Sequence, residues 1–274
     1  MRGDVICIAA GLDLHLILSL SQRSFMWQTT ASRSTQLDHE EFARMGARVE
    51  VRRHPGARRL TLRVSRTRRA IIVTLPVQCN LDEADSFLHR NIAWVRERLS
   101  SMPDPVPFTN GALVPLRGTQ HRVVFRGRVR GDGVVKEAGG TSFPELHVSG
   151  ESEHAPRRLA DWLVGQAHSD LETCVKRHAV TLGLNARRIA VRDQSSRWGS
   201  CSTTGLLSFS WRLILAPAAI LDYVAAHEVA HLAEMNHGPR FWALVRRTYP
   251  GLDDARRWLH VYGMDLHRYG AETD

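Results

Sequence analysis

"AAHEVAHLAEMNHGPRFW", residues 225–242, sets His227, Glu228, His231 and His237 within eleven positions of otherwise apolar, helix-forming sequence. Ala216-Pro217 opens the run, because proline suits the first helical turn, where its missing N–H has no partner to lose. On a helix, residues four apart share one face at about 6 Å. His227 and His231 therefore aim two imidazoles at one point from one rigid element. Glu228 is one step further round, beside that point but off its axis. His237 offers a third imidazole, yet on a continuous helix it would sit about 600° beyond His231 and point away. The helix must therefore end before it. Glu234-Met235-Asn236 followed by Gly238-Pro239 is the expected break: Asn tolerates the left-handed backbone of helix ends, and Pro239 blocks continuation while starting the next helix.

Two imidazoles at i and i+4 with an adjoining glutamate are the H-E-x-x-H arrangement, in which the histidines bind zinc and the glutamate acts as base. A catalytic zinc takes three protein ligands and keeps its fourth position for water. The spacing thus predicts one Zn2+ per chain on His227, His231 and His237, with Glu228 as the catalytic residue taking the proton of the metal's water. Among the chain's 14 histidines, the others, His89 and His121 included, read as ordinary core or surface residues.

Outward from this stretch, "RRIAVRDQSSRWGSCSTTGLLSFSWRLIL" reads as strand, loop, strand, turn (Ser202 to Gly205) and strand. Residues 155–183 carry apolar residues at helical spacing and close on Gly183. Earlier, Val49 and Val51, then Leu60, Leu62 and Val64, then Ile71 to Leu75 alternate with basic residues, the pattern of an antiparallel meander. Asn80 caps a single helix running to about residue 102. Short strands follow over residues 111–149. The expected organisation is an N-terminal extension (1–45) of polar, non-periodic sequence, a β-rich region with one helix (46–150) and a catalytic region (151–274). Residues 5–20, the most apolar segment, are interrupted by Asp13 and His15, too short for a membrane span and a poor signal peptide.

The 274 residues carry a formal charge of +9. Of the basic residues 35 are Arg and 2 are Lys, and ten of the Arg fall between Arg44 and Arg69. A nucleotide or nucleic-acid partner fits that charge, but alternating strands with a solvated arginine face account for it equally. Cys7, Cys79, Cys174 and Cys201 form no C-x-x-C pair and fit reduced thiols in a cytoplasmic protein.

Residues 192–250 combine R-W-G-S-C, W-R-L, A-P, D-Y-V, H-E-x-x-H and N-H-x-x-x-F-W in order. This run resembles the YgjP-like metallopeptidase family, related to the SprT-like zinc proteases, and the likeness extends more weakly back to the strands near residue 50 and on to about Tyr269. The resemblance implies an α+β fold with a minimal zincin-like core, a small sheet over an active-site helix, and zinc on the three histidines. Gly238 and Ser210 depart from the family pattern, which often has Ser after the third histidine and Asn before W-R-L; neither is a ligand.

Peptide hydrolysis also needs a group to stabilise the developing oxyanion. The candidates are Tyr223, one turn before His227, and Arg197 and Trp198 in the R-W-G-S-C loop. Cys201 reads as structural. The first functional reading is a zinc peptidase acting on peptides or proteins, paired in extended form with an edge strand expected within residues 205–213. A zinc-dependent nucleotide phosphohydrolase using the same site is the alternative, with arginines holding phosphates. A DNA-associated protease or binding protein is the second alternative; a purely structural metal would have no use for Glu228. The sequence leaves the oligomeric state open.

Overall fold

The computed structural model describes residues 6–9, 42, 47–65, 69–128, 135–139, 142–194 and 196–270. The chain divides into two compact units, one comprising Met1–Gly11 and Pro105–Glu272, the other Leu12–Asp104 with Thr273–Asp274. Strand β1 (Ile6–Ala9) belongs to the first of these.

In the second unit, β2 (Arg48–Arg53), β3 (Thr61–Ser65) and β4 (Ala70–Leu75) form a sheet in the order β2-β4-β3. β3 is antiparallel to β4, but β2 is parallel to it, so the run is not the simple meander its alternation suggests. β4 is buried at every position but Thr74 and therefore takes the centre, leaving the half-polar β2 and β3 as edges. Asn80 caps α1 (Leu81–Arg90), its side-chain oxygen accepting the Glu83 N–H at 2.7 Å. The single helix expected here is two: α2 (Ile92–Ser100) starts after a break at Asn91, whose amide donates to the Phe87 carbonyl at 2.8 Å. Ile71, Val73, Leu75, Leu88, Val95 and Leu99 make the core, joined by Phe42. Apart from β1 and Phe42, the extension expected over residues 1–45 lies outside the described residues. Arg48 and Arg52 pair with Glu50, and Arg53 donates to the carbonyls of Val77 and Cys79.

The larger unit contains two sheets on a long helix. β5 (Leu113–Leu116), β6 (Thr119–Gly127), β7 (Val135–Ala138) and β8 (Glu145–Ser149) are ordered β5-β6-β8-β7. α3 (Ala155–Leu182) closes on Gly183 at φ +68°, as the sequence indicates. Its Leu159, Leu163, Ala167, Leu171 and Val175, four residues apart, form a buried stripe in one core with Val114, Val123 and Leu146 of the neighbouring sheet. β9 (Arg188–Arg192), β10 (Arg197–Cys201) and β11 (Leu206–Ser210) complete the second sheet, ordered β1-β10-β11-β9. β11 is therefore central, and the edge expected within residues 205–213 is not an edge. The W-R-L segment is not strand either: Trp211–Leu215 winds into a 3₁₀ turn, and Arg212, 6% exposed, pairs with Asp193 and donates to the Tyr269 carbonyl.

α4 (Ala218–Ala230), α5 (Pro239–Thr248) and α6 (Leu252–Tyr262) follow. Every residue of α4 from Tyr223 to Ala230 is buried. Its position is fixed by a polar clamp. His178 of α3, 1% exposed, lies 2.7 Å from Asp222 Oδ1 of α4 and 2.6 Å from Thr248 Oγ1 of α5, and Arg177 also pairs with Asp222. Burial alone would raise the Asp222 pKa, but the hydrogen bond and charge of His178, with Cys174 and Arg177, outweigh it and hold the carboxyl below its ordinary value. A carboxylate with a depressed folded pKa contributes stability above its unfolded pKa of about 3.9 and loses it as pH falls through the folded value. Asp222→Asn should thus cost about 2 kcal/mol at pH 7, about 6 °C in melting temperature. The gap between variant and wild type should close in melts run below pH 3.

Candidate metal centre and catalytic carboxylate

The end of α4 brings the three histidines together. His227 and His231 lie one turn apart with ring centroids at 4.9 Å. The chain then turns back through Leu232–Ala233–Glu234, whose amides donate to the carbonyls of Val229 and Ala230. No left-handed residue closes this helix, in contrast to the role expected of Asn236; positive φ outside glycine occurs, among the described residues, only at Arg69 and Arg117. Pro239 opens α5 with Gly238 as its cap and no side-chain cap bond. His237, on this turn, places its Nε2 2.9 Å from His227 Nε2. One nitrogen from each of the three imidazoles lies within 4.8 Å of the others.

The surroundings hold the rings in place. Phe241 of α5, fully buried, stacks on His231 at 4.4 Å and meets His227 and His237 edge-on at 4.7 Å each. Trp242 flanks His227 and His237, and Arg256 covers its outer face at 4.8 Å. The N-H-x-x-x-F-W pattern thus supplies the third candidate ligand, His237, and the aromatic wall behind the three imidazoles. His231 Nδ1 lies 3.0 Å from the Glu234 carbonyl. That bond keeps the proton on Nδ1 and presents the Nε2 lone pair.

Burial pushes the pKa of His227 down to about 2, helped by His231, His237 and Arg256. Burial likewise brings His231 down to about 4, against the Glu234 carbonyl, and lowers His237. All three rings are therefore neutral donors at neutral pH, with no proton for a metal to displace.

Glu228 is 0% exposed. Burial raises its pKa well above the carboxylate range, opposed by the charge of Arg197. It lies flat on β10: a Cβ at Gly199 would come 2.5 Å from Glu228 Oε1 and 2.6 Å from its Cγ. Residues of β10 alternate sides. Gly199 and Cys201 face Glu228, and burial with the Glu228 charge lifts the Cys201 thiol to about 11, leaving it an inert core residue.

The oxyanion candidates separate on this geometry. Trp198 is fully buried on the opposite side of β10, its ring 5.0 Å from His267 and against Gly263. The Tyr223 hydroxyl lies 3.5 Å from His227 Nδ1, the ring atom opposite the converging Nε2, and burial lifts its pKa so that it stays protonated. Tyr223 thus backs a histidine and does not face a reacting group. Arg197 alone of the three shares the Glu228 side of the strand. Gly199 was missed in the sequence, although a glycine inside a strand marks a close backbone approach.

The site suits a metal. Three neutral imidazoles without a thiolate favour a borderline divalent ion such as zinc. His231 Nε2 and both Glu228 oxygens are buried without a hydrogen-bond partner among the described residues, and an ion with its water would satisfy them.

The solved structure of abylysin, a metallopeptidase zymogen from Pyrococcus abyssi, is similar to 35% of this chain and 92% of its own, at 19% identity and a TM-score of 0.31. No curated protein sequence matches the chain. No described helix is long and apolar enough to cross a membrane. Residues 58–262, most of the chain and the whole histidine–glutamate site, match the model for the YgjP-like metallopeptidase domain. The chain belongs to the YgjP-like metallopeptidase family.

Proposed function

We propose that this metallopeptidase is a zinc enzyme in which His227, His231 and His237 hold the ion and Glu228 moves the proton. The observation that carries the reading is the buried, partnerless Glu228 carboxylate on the residue next to the first of three converging imidazoles. Bound there, zinc would supply Lewis acidity that acidifies water toward neutral pH and polarises a carbonyl. Glu228 takes the proton of the attacking water and returns it to the leaving amine. Its raised pKa makes it a stronger base than an exposed glutamate, and Arg197 restrains that rise. Arg197 is also the remaining candidate to stabilise the oxyanion.

The substrate in this reading is a peptide or an unfolded protein. A cleft of about 480 Å³ opens beside His231, bounded by Leu232, Met235 and the Ser202–Gly205 turn, and gives room for a substrate side chain at the end of β10. Cys79, Cys174 and Cys201 are free thiols, which fits a reducing, cytoplasmic setting.

His237→Ala should reduce zinc affinity by at least about 100-fold, since a two-histidine site on one helix leaves the ion short of a ligand. Competition with a chromophoric chelator measures this; zinc retained at full affinity would place the third ligand elsewhere. Casein and a panel of nucleoside triphosphates should then be offered to the zinc-loaded wild type. Cleavage of casein, blocked by a hydroxamate, is expected. Turnover of nucleotides with casein untouched would overturn the substrate assignment.

A further inference from the structure

The Glu228 carboxylate lies against the face of β10, over Gly199. One side of this strand is bonded to β11 through Gly199↔Phe209, Ser200↔Ser208 and Cys201↔Leu207. The other side is the sheet edge nearest to Glu228, and the chain's own β1 lies on it. β1 runs antiparallel there, with Ile6 opposite Cys201, Cys7 opposite Ser200 and Ala9 opposite Arg197.

An extended peptide is recognised at a strand edge because backbone hydrogen bonds hold it whatever its sequence. The geometry leaves few places for that. β11 is enclosed between β10 and β9. The far edge, β9, is two strands from β10, about 10 Å away. Only the outer edge of β10 runs past the carboxylate, and residues 6–9 fill it.

The pairing is also short and irregular. From Cys7 to Ala9, β1 advances two residues while β10 goes back three, so the ladder is irregular at Trp198–Gly199, beside Glu228. Four residues with an interrupted ladder make a weak hold. Being part of the same chain, however, the segment competes intramolecularly, without the entropy cost of a second molecule.

We propose that Ile6–Ala9 is an internal competitor for the strand edge on which an extended peptide substrate pairs, so that the amino-terminal segment restrains the enzyme. The proposal rests on the peptidase reading for its substrate. In an antiparallel pair, alternate residues turn their N–H toward the partner. Two full-length variants therefore cover both parities: Ile6→Pro with Ile8→Pro, and Cys7→Pro with Ala9→Pro. In at least one of them, KM for an extended peptide should fall at least tenfold with kcat unchanged, and affinity for a hexapeptide hydroxamate should rise in the same ratio. Amide exchange of Arg197–Cys201 should speed up, and a synthetic peptide of residues 4–11 should restore both protection and KM competitively.

Unchanged KM, hydroxamate affinity and exchange in both variants would overturn the proposal. So would a sharp loss of thermal stability with KM unchanged, which would make β1 an ordinary structural strand. If no form cleaves any peptide, the hydroxamate and exchange measurements still decide the occupancy of the edge, and the failure falls on the peptidase reading.

Discussion

Glu228→Gln should lower peptide turnover by about three orders of magnitude, the middle of the range for loss of a general base, while metal content stays at the wild-type level. The substitution preserves length and shape and removes the charge and the basic oxygen. His227, on the neighbouring turn position, and His231 and His237 keep their places, because Phe241, Trp242 and the Glu234 carbonyl hold them and none of these contacts involves Glu228. The same change should make the metal-free protein more stable. Both carboxylate oxygens are buried without a partner among the described residues, and burial holds the group toward its protonated form. A carboxyl whose folded pKa is raised costs stability at pH above its unfolded pKa of about 4.3, and the cost fades as pH falls through the folded value. The neutral amide avoids that cost, so a gain of about 1 kcal/mol, about 3 °C, is expected at pH 7.5, shrinking toward pH 5. Metal analysis, peptide kinetics and melts of the chelated protein test the three statements separately. Unchanged turnover would remove Glu228 from the mechanism; a lower melting temperature at pH 7.5 would show that the carboxylate has a partner that offsets its burial.

How far the sequence carried depended on whether the interaction was local. The two-histidine face, the helix start at Pro217, the α3 stop at Gly183 and the Asn80 cap are set by residues within a few positions of one another, and the structure shows each where spacing puts it. The break before His237 was legible too, though the turn forms with ordinary backbone angles and not the left-handed one expected of Asn236. Strand partners were not legible. Alternation in residues 48–75 reports which faces are buried, but not that β4, apolar on both faces, would draw β2 to its far side in parallel. For the same reason the apolar character of β11 marked a buried strand, and a buried strand in a four-stranded sheet is a central one, not the edge. Side-chain placement at a distance was not legible either: Tyr223 and Trp198 had the right residue type and sequence neighbourhood, and only the fold places one behind a histidine and the other across the strand. The His178–Asp222–Thr248 clamp joins three helices across 70 positions and leaves no local pattern.

Gly199→Ala should abolish most peptide turnover without removing the metal. The added Cβ would lie 2.5 Å from Glu228 Oε1, 2.6 Å from Cγ and 2.8 Å from Cδ. Carbon and carboxylate atoms do not share such distances, so one side must move. β10 cannot withdraw easily, because it is bonded to β11 across Gly199↔Phe209 and its Trp198 is packed against Gly263 on the far face. α4 cannot withdraw either, being buried along Tyr223–Ala230 and clamped through Asp222. The Glu228 side chain must therefore swing off its rotamer by something like 1 Å. A displacement of that size at a reacting group costs about 100-fold in rate. Gly199 does not have a left-handed backbone, so alanine meets no conformational obstacle of its own, and the effect isolates the contact. The triad is untouched, since none of its contacts runs through β10. Zinc affinity should hold within a few-fold while kcat falls about 100-fold. Ser200→Ala, one residue on along the same strand, provides the control and should keep at least half of the wild-type turnover. If Gly199→Ala retains full activity, the carboxylate has room to slide on β10, and the contact with Gly199 is packing without a part in placing the base. If instead zinc is lost along with activity, the strand positions the histidines as well as Glu228, and the site is a single mechanical unit.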